Sequence, residues 1–208
     1  MLFRSHGDHW QLETSRGAVR GRVVINAAGL YGDHVDTMLI GQNTYTIHPR
    51  KGQFVVYDKP AAALTRHILL PVPTKLTKGI VVCRTIWGNL LVGPTAEEQD
   101  ARDTATLDPA ILDSLRQRGA EILPALAAHE VTALYAGLRP ATEFKDYQIS
   151  AHADRAYISV GGIRSTGLSS ALGTARYVHK LCAGLIERAP LPKPHWPQVP
   201  NLAEDGPR

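Results

Sequence analysis

Few cysteines and no long apolar runs limit the classes to which this protein can belong. The 2 cysteines, Cys83 and Cys182, lie far apart in apolar surroundings, and they form no C-x-x-C pair. This usage predicts buried, reduced thiols in a cytoplasmic protein. No apolar run approaches the roughly 18 residues of a membrane-spanning helix. The first residues, MLFRSHGDHW, also lack the apolar stretch of a signal peptide.

Charge runs and metal-binding spacings are also missing. The 23 basic and 19 acidic residues give a net charge of +4, and the basic residues are scattered singly. Basic runs interleaved with aromatic residues, which would indicate nucleic-acid binding, do not occur. The 9 histidines show no zinc-site spacing, so we expect no metal. A mildly basic surface or a pocket for an anionic substrate fits this composition.

The order of apolar patterns predicts an α+β fold with a mostly antiparallel sheet. We expect a short helix over DHVDTMLI, a helix over residues 109–123 capped by Asp108, and a final helix to about residue 188. A polar loop is expected over EEQDARDTATLD, and a proline-rich, extended tail over residues 189–208. The other apolar runs predict strands: HWQLET, AVRGRVVINAAG, GQFVVYD, HILLPV, GIVVCRTIWGNLLVGPT, EVTALYAGLRPA and YQISAHADRAYISVGG.

The segment GGIRSTGLSS joins a predicted strand to the last predicted helix. Gly162 and Gly167 have the spacing of a phosphate-binding Walker loop, but Leu168 stands where that loop has a lysine. A helix N-terminus can hold a phosphate, a carboxylate or a polarised carbonyl oxygen through its unpaired amides. Leu168 argues against a triphosphate with magnesium and favours a flat, partly apolar ligand. An ordinary glycine-rich connection is the alternative.

Two further segments are candidates for contact with a ligand. Arg139, in YAGLRPA, follows an apolar strand and precedes a proline that should end strand pairing. Its guanidinium could hold a carboxylate or phosphate through two parallel hydrogen bonds. Alternatively, it is a structural arginine paired to Glu143, Asp146 or the sheet edge. The small residues of NAAGLYGD fit close packing against a cofactor or another strand. No pattern in the sequence identifies a catalytic residue.

Six segments together resemble the flavin-dependent family of D-amino-acid oxidase, glycine oxidase, glycerol-3-phosphate dehydrogenase and L-2-hydroxyglutarate oxidase. They occur in the family's order and cover nearly all of residues 10–180. The ordered set is far more specific than any one segment. The segments are VVINAAGLYGDHVD, HPRKGQFVVYDK, PVPTKLTKGIVV, GNLLVGPTAEE, YAGLRPAT and VGGIRSTGLSSALGTARYV.

The resemblance implies FAD as the cofactor and hydride transfer from a small 2-hydroxy acid, amino acid or glycerol phosphate. Ala28 and Gly29 would lie beside the adenine and pyrophosphate of FAD, and Arg139 would bind the acid group of the substrate. The loop before the last helix would aim amides at a flavin carbonyl, where negative charge grows during reduction. The residues implied along this loop are Gly162, Ile163, Arg164, Ser165, Thr166, Gly167, Leu168 and Ser169.

The resemblance also implies a domain organisation. Residues 1–43 and 141–188 would form the C-terminal remainder of a Rossmann-like FAD-binding domain, and residues 44–140 an antiparallel cap over the substrate. The family's first strand, its G-x-G-x-x-G turn and the acidic residue for the ribose do not occur in this sequence. Besides a small anionic substrate, the expected partner is a separate N-terminal half or a second copy. The alternative is a catalytically inactive remnant that binds a partner chain or an anionic ligand.

Overall fold

A computed structural model describes residues 9–72 and 79–186 in full, together with the backbone of residues 2–5. These residues divide into two compact units. Unit 1 comprises the described chain up to Arg50 and from Arg139 onward, and unit 2 comprises Lys51–Leu138. The predicted tail over residues 189–208 lies outside the described residues.

Three α-helices and eleven β-strands make up the regular structure of these residues, so the predicted α+β class is confirmed. The helices are α1 Gly32–Ile40, α2 Pro109–Ile122 and α3 Gly167–Leu185. The strands are β1 Leu2–Ser5, β2 Trp10–Thr14, β3 Gly17–Gly21, β4 Val24–Asn26, β5 His48–Tyr57, β6 Val81–Arg84, β7 Leu90–Gly93, β8 Glu97–Glu98, β9 Val131–Ala141, β10 Gln148–His152 and β11 Tyr157–Gly161. Within the described ranges, no helix has the length and apolar character needed to cross a membrane.

An antiparallel meander of β1, β2 and β3 opens unit 1. Trp10 of β2 is buried and packs against Leu39 of α1 and Tyr157 of β11. Its indole N–H donates a hydrogen bond to the carbonyl of Arg155 at 2.9 Å. A buried tryptophan normally needs such a partner for its single polar group, so this bond orients the meander against the rest of unit 1.

The second sheet of unit 1 is mixed, with β11 lying between β10 and β4. Strand β11 runs antiparallel to β10 and parallel to β4, and all five of its residues are buried. Its side chains alternate between the two faces: Tyr157 contacts α1-side residues such as Leu39, while Ile158 and Val160 pack against Val178 of α3. A parallel strand pair covered by helices on both faces is typical of α/β nucleotide-binding domains.

Unit 2 is built around a five-stranded sheet in which β6, β7, β5 and β8 are neighbours in that order and β9 also pairs with β5. The predicted hairpin turn at Gly88-Asn89 joins β6 to β7. Helix α2 begins as predicted, because the Asp108 carboxylate accepts the amide of Ala110 at 3.0 Å. The helix covers one face of the sheet and forms a core with it: Val55, Tyr57, Val82, Leu90, Val92, Leu112 and Leu115.

Three local predictions were wrong. HILLPV forms no strand, since its only pairing is the single bridge between Leu69 and Val82; Pro71 lacks the amide that a longer ladder requires. The polar segment after residue 96 contains the short strand β8, where Glu97 accepts the side-chain amide of Gln53 at 2.9 Å and pairs with Lys51 at 3.2 Å. The two cysteines are free thiols, but both are half buried rather than buried.

Two glycine replacements should affect stability in opposite directions. At Gly161 an added Cβ would lie 2.2 Å from the hydroxyl oxygen of Tyr45, whose side chain is 1% exposed. We therefore expect Gly161→Ala to lower the free energy of unfolding by about 2 kcal/mol. At Gly173, on the exposed side of α3, an added Cβ meets nothing within 4 Å. Gly173→Ala should therefore raise the free energy of unfolding by about 0.5–1 kcal/mol. Urea denaturation measures both changes, and equal effects would contradict the close approach at Gly161.

Candidate functional site

Two turns of unit 1 meet at one edge of the mixed sheet. Strands β4 and β11 are parallel and in register, with Ser159 opposite Asn26, so their carboxyl ends lie at the same edge. The turn after β4 contains Ala28 and Gly29 and leads into α1. The turn after β11 begins at Gly162 and leads into α3. Ligands of open α/β sheets bind at such an edge, and the fold brings both predicted cofactor segments to it.

Asn26 organises the first turn. Its side-chain oxygen accepts the amide of Ala28 at 3.1 Å, and its side-chain nitrogen donates to the carbonyl of Gly32 at 2.8 Å. Asn26 is buried, whereas Ala28 is exposed and a side chain at Gly29 would meet open space. The turn therefore keeps a fixed shape while its small residues leave room beside the backbone.

A buried carboxylate connects this turn to β11. Asp36 of α1 accepts the side-chain amide of Asn26 at 2.7 Å and the hydroxyls of Tyr157 and Ser159, each at 2.6 Å. The Tyr45 hydroxyl lies 3.3 Å from that of Ser159. Burial, together with the hydrogen bond to Asp36 and its charge, raises the pKa of Tyr157 well above its ordinary value. The sequence does not indicate roles for Asp36 and Tyr45, because nothing in the local pattern shows that they meet.

The second turn opens α3 with unpaired amides. Thr166 precedes the helix with a φ of 59°, and its side chain makes no capping bond. Its carbonyl accepts the amide of Ser170 at 2.9 Å, so the amides of Gly167, Leu168 and Ser169 have no acceptor within the helix. The positive end of the helix dipole adds to their polarity. The Leu168 side chain is 96% exposed. It therefore does not lie between these amides and the protein core.

Other residues of the second turn contact their own chain. Gly162 has a φ of 67°, which only glycine adopts readily, and an added Cβ would lie 3.3 Å from Thr142. The amide of Arg164 donates to the carbonyl of Gly162 at 2.9 Å. The guanidinium of Arg164 donates to the carbonyl of Lys145 at 3.4 Å. Ile163 is half buried against the core of α3.

Tyr147 is a contact of this turn that the sequence does not indicate. Its hydroxyl lies 3.0 Å from the carbonyl of Ser165, 2.8 Å from the hydroxyl of Thr166 and 2.9 Å from that of Ser170. The hydrogen bonds from Ser170 and Thr166 lower the pKa of Tyr147 below its ordinary value. No sequence motif includes this tyrosine, which lies 18 positions or more from its partners.

Arg139 lies near the end of β9, which continues through Pro140 to Ala141 instead of ending before the proline. Its Nε donates to the carbonyl of Arg50 at 3.3 Å. This bond to β5 is the pairing with the sheet edge that the structural alternative predicts. Glu143 accepts the amide of Thr46 at 3.1 Å, and Asp146 accepts that of Tyr147 at 2.7 Å. The strand end that carries Arg139 leads directly to Thr142, whose side chain would lie 3.3 Å from a Cβ added at Gly162.

The family model described as FAD dependent oxidoreductase matches residues 2–181. This chain belongs to the FAD-dependent oxidoreductase family. The predicted family is thereby confirmed. The chain is 32% identical, over 94% of its length, to a glycerol 3-phosphate dehydrogenase of Caloramator mitchellensis. It is 35% identical, over 61% of its length, to a glycine oxidase of Pseudomonas aeruginosa.

A solved member of the FAD-dependent oxidoreductase family has the same fold. The structure of dithionite-reduced L-α-glycerophosphate oxidase from Mycoplasma pneumoniae with FAD bound covers 88% of the chain with a TM-score of 0.75 and 24% identity. The chain spans 49% of that structure, and 41% and 32% of the two relatives named above. It therefore corresponds to about half or less of each of these FAD-dependent oxidoreductases.

The buried tyrosine network should make stability depend on alkaline pH. Burial raises the pKa of Tyr45 from 10.0 to about 12. Its contribution to stability is therefore complete below pH 10, the unfolded value, and is lost as the pH rises through about 12. Between about pH 9 and pH 11, the free energy of unfolding should fall less in Tyr45→Phe than in the wild type, by about 1 kcal/mol. Equal slopes in urea denaturation would contradict this assignment.

Proposed function

We propose that this chain is the C-terminal part of an enzyme that moves hydride from a small 2-hydroxy acid, amino acid or glycerol phosphate to FAD. One observation carries the proposal. The turns after β4 and β11 are far apart in sequence, yet they meet at the carboxyl edge of a parallel strand pair. Each turn leads into a helix, which is the arrangement that dinucleotide-binding sheets use.

The residues at this edge fit a flavin nucleotide. The amides of Gly167, Leu168 and Ser169 are hydrogen-bond donors without intrahelical acceptors, and no lysine accompanies them. Such donors suit the carbonyl oxygens of a flavin ring better than a triphosphate. When bound, FAD supplies the hydride acceptor, and fixed donors stabilise the negative charge that this acceptor gains. The open space at Gly29 and the exposed Ala28 suit the nucleotide part of the cofactor.

The assignment of cofactor residues follows from these turns. In the proposal, Ala28 and Gly29 line the adenine and pyrophosphate end of FAD. The other eight residues form the turn before α3 and the start of that helix, and in the proposal they line the flavin ring: Gly162, Ile163, Arg164, Ser165, Thr166, Gly167, Leu168 and Ser169.

Arg139 is the proposed group for the acid end of the substrate. The compounds in the names of the two relatives, glycerol 3-phosphate and glycine, both carry an anionic group. A guanidinium binds either a phosphate or a carboxylate through parallel hydrogen bonds. Arg139 is half buried, which strengthens its interaction with an anion. One arginine could thus bind substrates that share an anionic group and differ elsewhere.

The proposed flavin site is completed by polypeptide outside this sequence. The amide of Val24 donates to Ala156 at 3.2 Å, so the backbone groups of Ile25 point to the other edge of β4. No strand among the described residues pairs with that edge, and Ile25 is 47% exposed. A parallel strand from a half that carries G-x-G-x-x-G would fill it. The half would belong to a longer chain or to a separate one.

A flavin-free subunit is the second candidate function. The outer side of α3 exposes Leu168 and Leu172, which are 96% and 89% accessible. Large apolar side chains exposed together favour a partner surface. This candidate requires no cofactor at the two turns.

Flavin binding separates these two functions. The purified chain is incubated with FAD, both alone and with the part of the Caloramator mitchellensis dehydrogenase that this chain does not match. After gel filtration, a visible flavin absorbance band in either sample supports the oxidoreductase. A colourless protein in both samples contradicts it and favours the flavin-free subunit.

Replacement of Arg139 tests the substrate site in the completed enzyme. Arg139→Ala should raise the KM for glycerol 3-phosphate or glycine on the order of a hundredfold, because a charge-assisted pair contributes about 2–3 kcal/mol. Arg20→Ala, which removes an exposed arginine of β3 in the same unit, is the matched control and should leave the KM unchanged. Unaltered affinity for the anionic substrate in Arg139→Ala would overturn the assigned role.

A further inference from the structure

Within the turn before α3, the Thr166 hydroxyl donates to the carbonyl of Ser165 at 2.6 Å, but the junction with the helix needs a further tether. Thr166 adopts a left-handed conformation with a φ of 59°, which is unfavourable for any residue with a Cβ. Its side chain does not cap the helix, and both Ser165 and Thr166 are exposed. Neither core packing nor a capping bond therefore holds the backbone that precedes the unpaired amides.

The hydroxyl of Tyr147 supplies this tether from outside the turn. It lies within hydrogen-bond distance of three consecutive parts of the turn: the carbonyl of Ser165 at 3.0 Å, the hydroxyl of Thr166 at 2.8 Å and that of Ser170 at 2.9 Å. Ser165 and Thr166 precede the helix, whereas Ser170 lies within its first turn. One phenol thus spans the junction between loop and helix.

Tyr147 is itself held by the connection between β9 and β10. Its amide donates to the Asp146 carboxylate at 2.7 Å, and the side chain of Gln148 donates to the carbonyl of Asp146 at 3.0 Å. Lys145 accepts the guanidinium of Arg164 at 3.4 Å. This connection follows the end of β9, the strand that carries Arg139, so the residues that hold Tyr147 adjoin the proposed anion site.

We propose that Tyr147 is a positioning residue that orders the turn before α3 and thereby aims the amides of Gly167, Leu168 and Ser169 at the cofactor. The identity of that cofactor as FAD rests on the proposed function. In this role the tyrosine acts on the cofactor through the turn, by its hydrogen bonds to Ser165, Thr166 and Ser170. Loss of its hydroxyl should therefore loosen the turn and weaken flavin binding, with little effect on the fold of unit 1.

Tyr147→Phe removes the hydroxyl and keeps the ring. The matched control is Tyr177→Phe, which removes a half-exposed hydroxyl from α3, where the described residues offer it no hydrogen bond. Hydrogen–deuterium exchange of the full chain should show the amide of Ser170, which donates to the carbonyl of Thr166 at 2.9 Å, exchanging about tenfold faster in Tyr147→Phe, because local opening costs less free energy. Amides of β10 and β11 should keep their rates, and the control should match the wild type. An unchanged exchange rate at Ser170 overturns the proposal.

A flavin titration of the completed protein tests the second half of the proposal. The dissociation constant for FAD, followed by quenching of flavin fluorescence, should rise about tenfold in Tyr147→Phe and stay unchanged in Tyr177→Phe. Equal affinity in wild type and Tyr147→Phe would overturn the positioning role while leaving the oxidoreductase proposal intact. Absence of flavin binding by the wild type would overturn the oxidoreductase and the cofactor-aiming role together. The exchange measurement would then decide whether Tyr147 orders the turn.

Discussion

The buried carboxylate of Asp36 is the constraint on which unit 1 depends. It joins α1 to β4 through Asn26 and to β11 through Tyr157 and Ser159. A buried carboxylate without donors would cost several kcal/mol, and in the described residues no buried side-chain polar atom lacks a partner. These bonds therefore require both strands and α1 to keep one arrangement, and the turn after β4 follows that arrangement.

The two faces of β11 use different chemistry for different purposes. The polar face holds α1 through directional hydrogen bonds, which specify where the turn after β4 lies. The opposite face packs Ile158 and Val160 against Val178, a contact that stabilises α3 without aiming its first turn. The geometry of that turn depends on three local features: the glycine at position 162, the left-handed backbone of Thr166 and the hydroxyl of Tyr147. Its backbone amides can thus remain unpaired, while no buried side-chain polar atom of the described residues lacks a partner.

Patterns that depend on neighbours in the chain were predictable. Asp108 before Pro109 predicted the start of α2, and Gly88-Asn89 predicted the hairpin of β6 and β7. Patterns that depend on distant partners were not. HILLPV has the composition of a strand but makes only one bridge, and Glu97 lies in a polar segment yet joins the sheet. Burial alone would raise the pKa of Glu97, but hydrogen bonds from Thr95 and Gln53 and the charge of Lys51 lower it.

The sequence by itself determined the family, the α+β class and the segments expected to contact a cofactor. The order of the motifs and the residues of local turns can be recognised in the chain without its fold. Tertiary structure alone decided that the turns at Gly29 and Gly162 share one edge, because that depends on the parallel register of β4 and β11. It also decided the roles of Asp36, Tyr45 and Tyr147. A hydrogen bond between residues far apart in sequence leaves no periodic or spacing signal, so only the folded backbone could bring these side chains together.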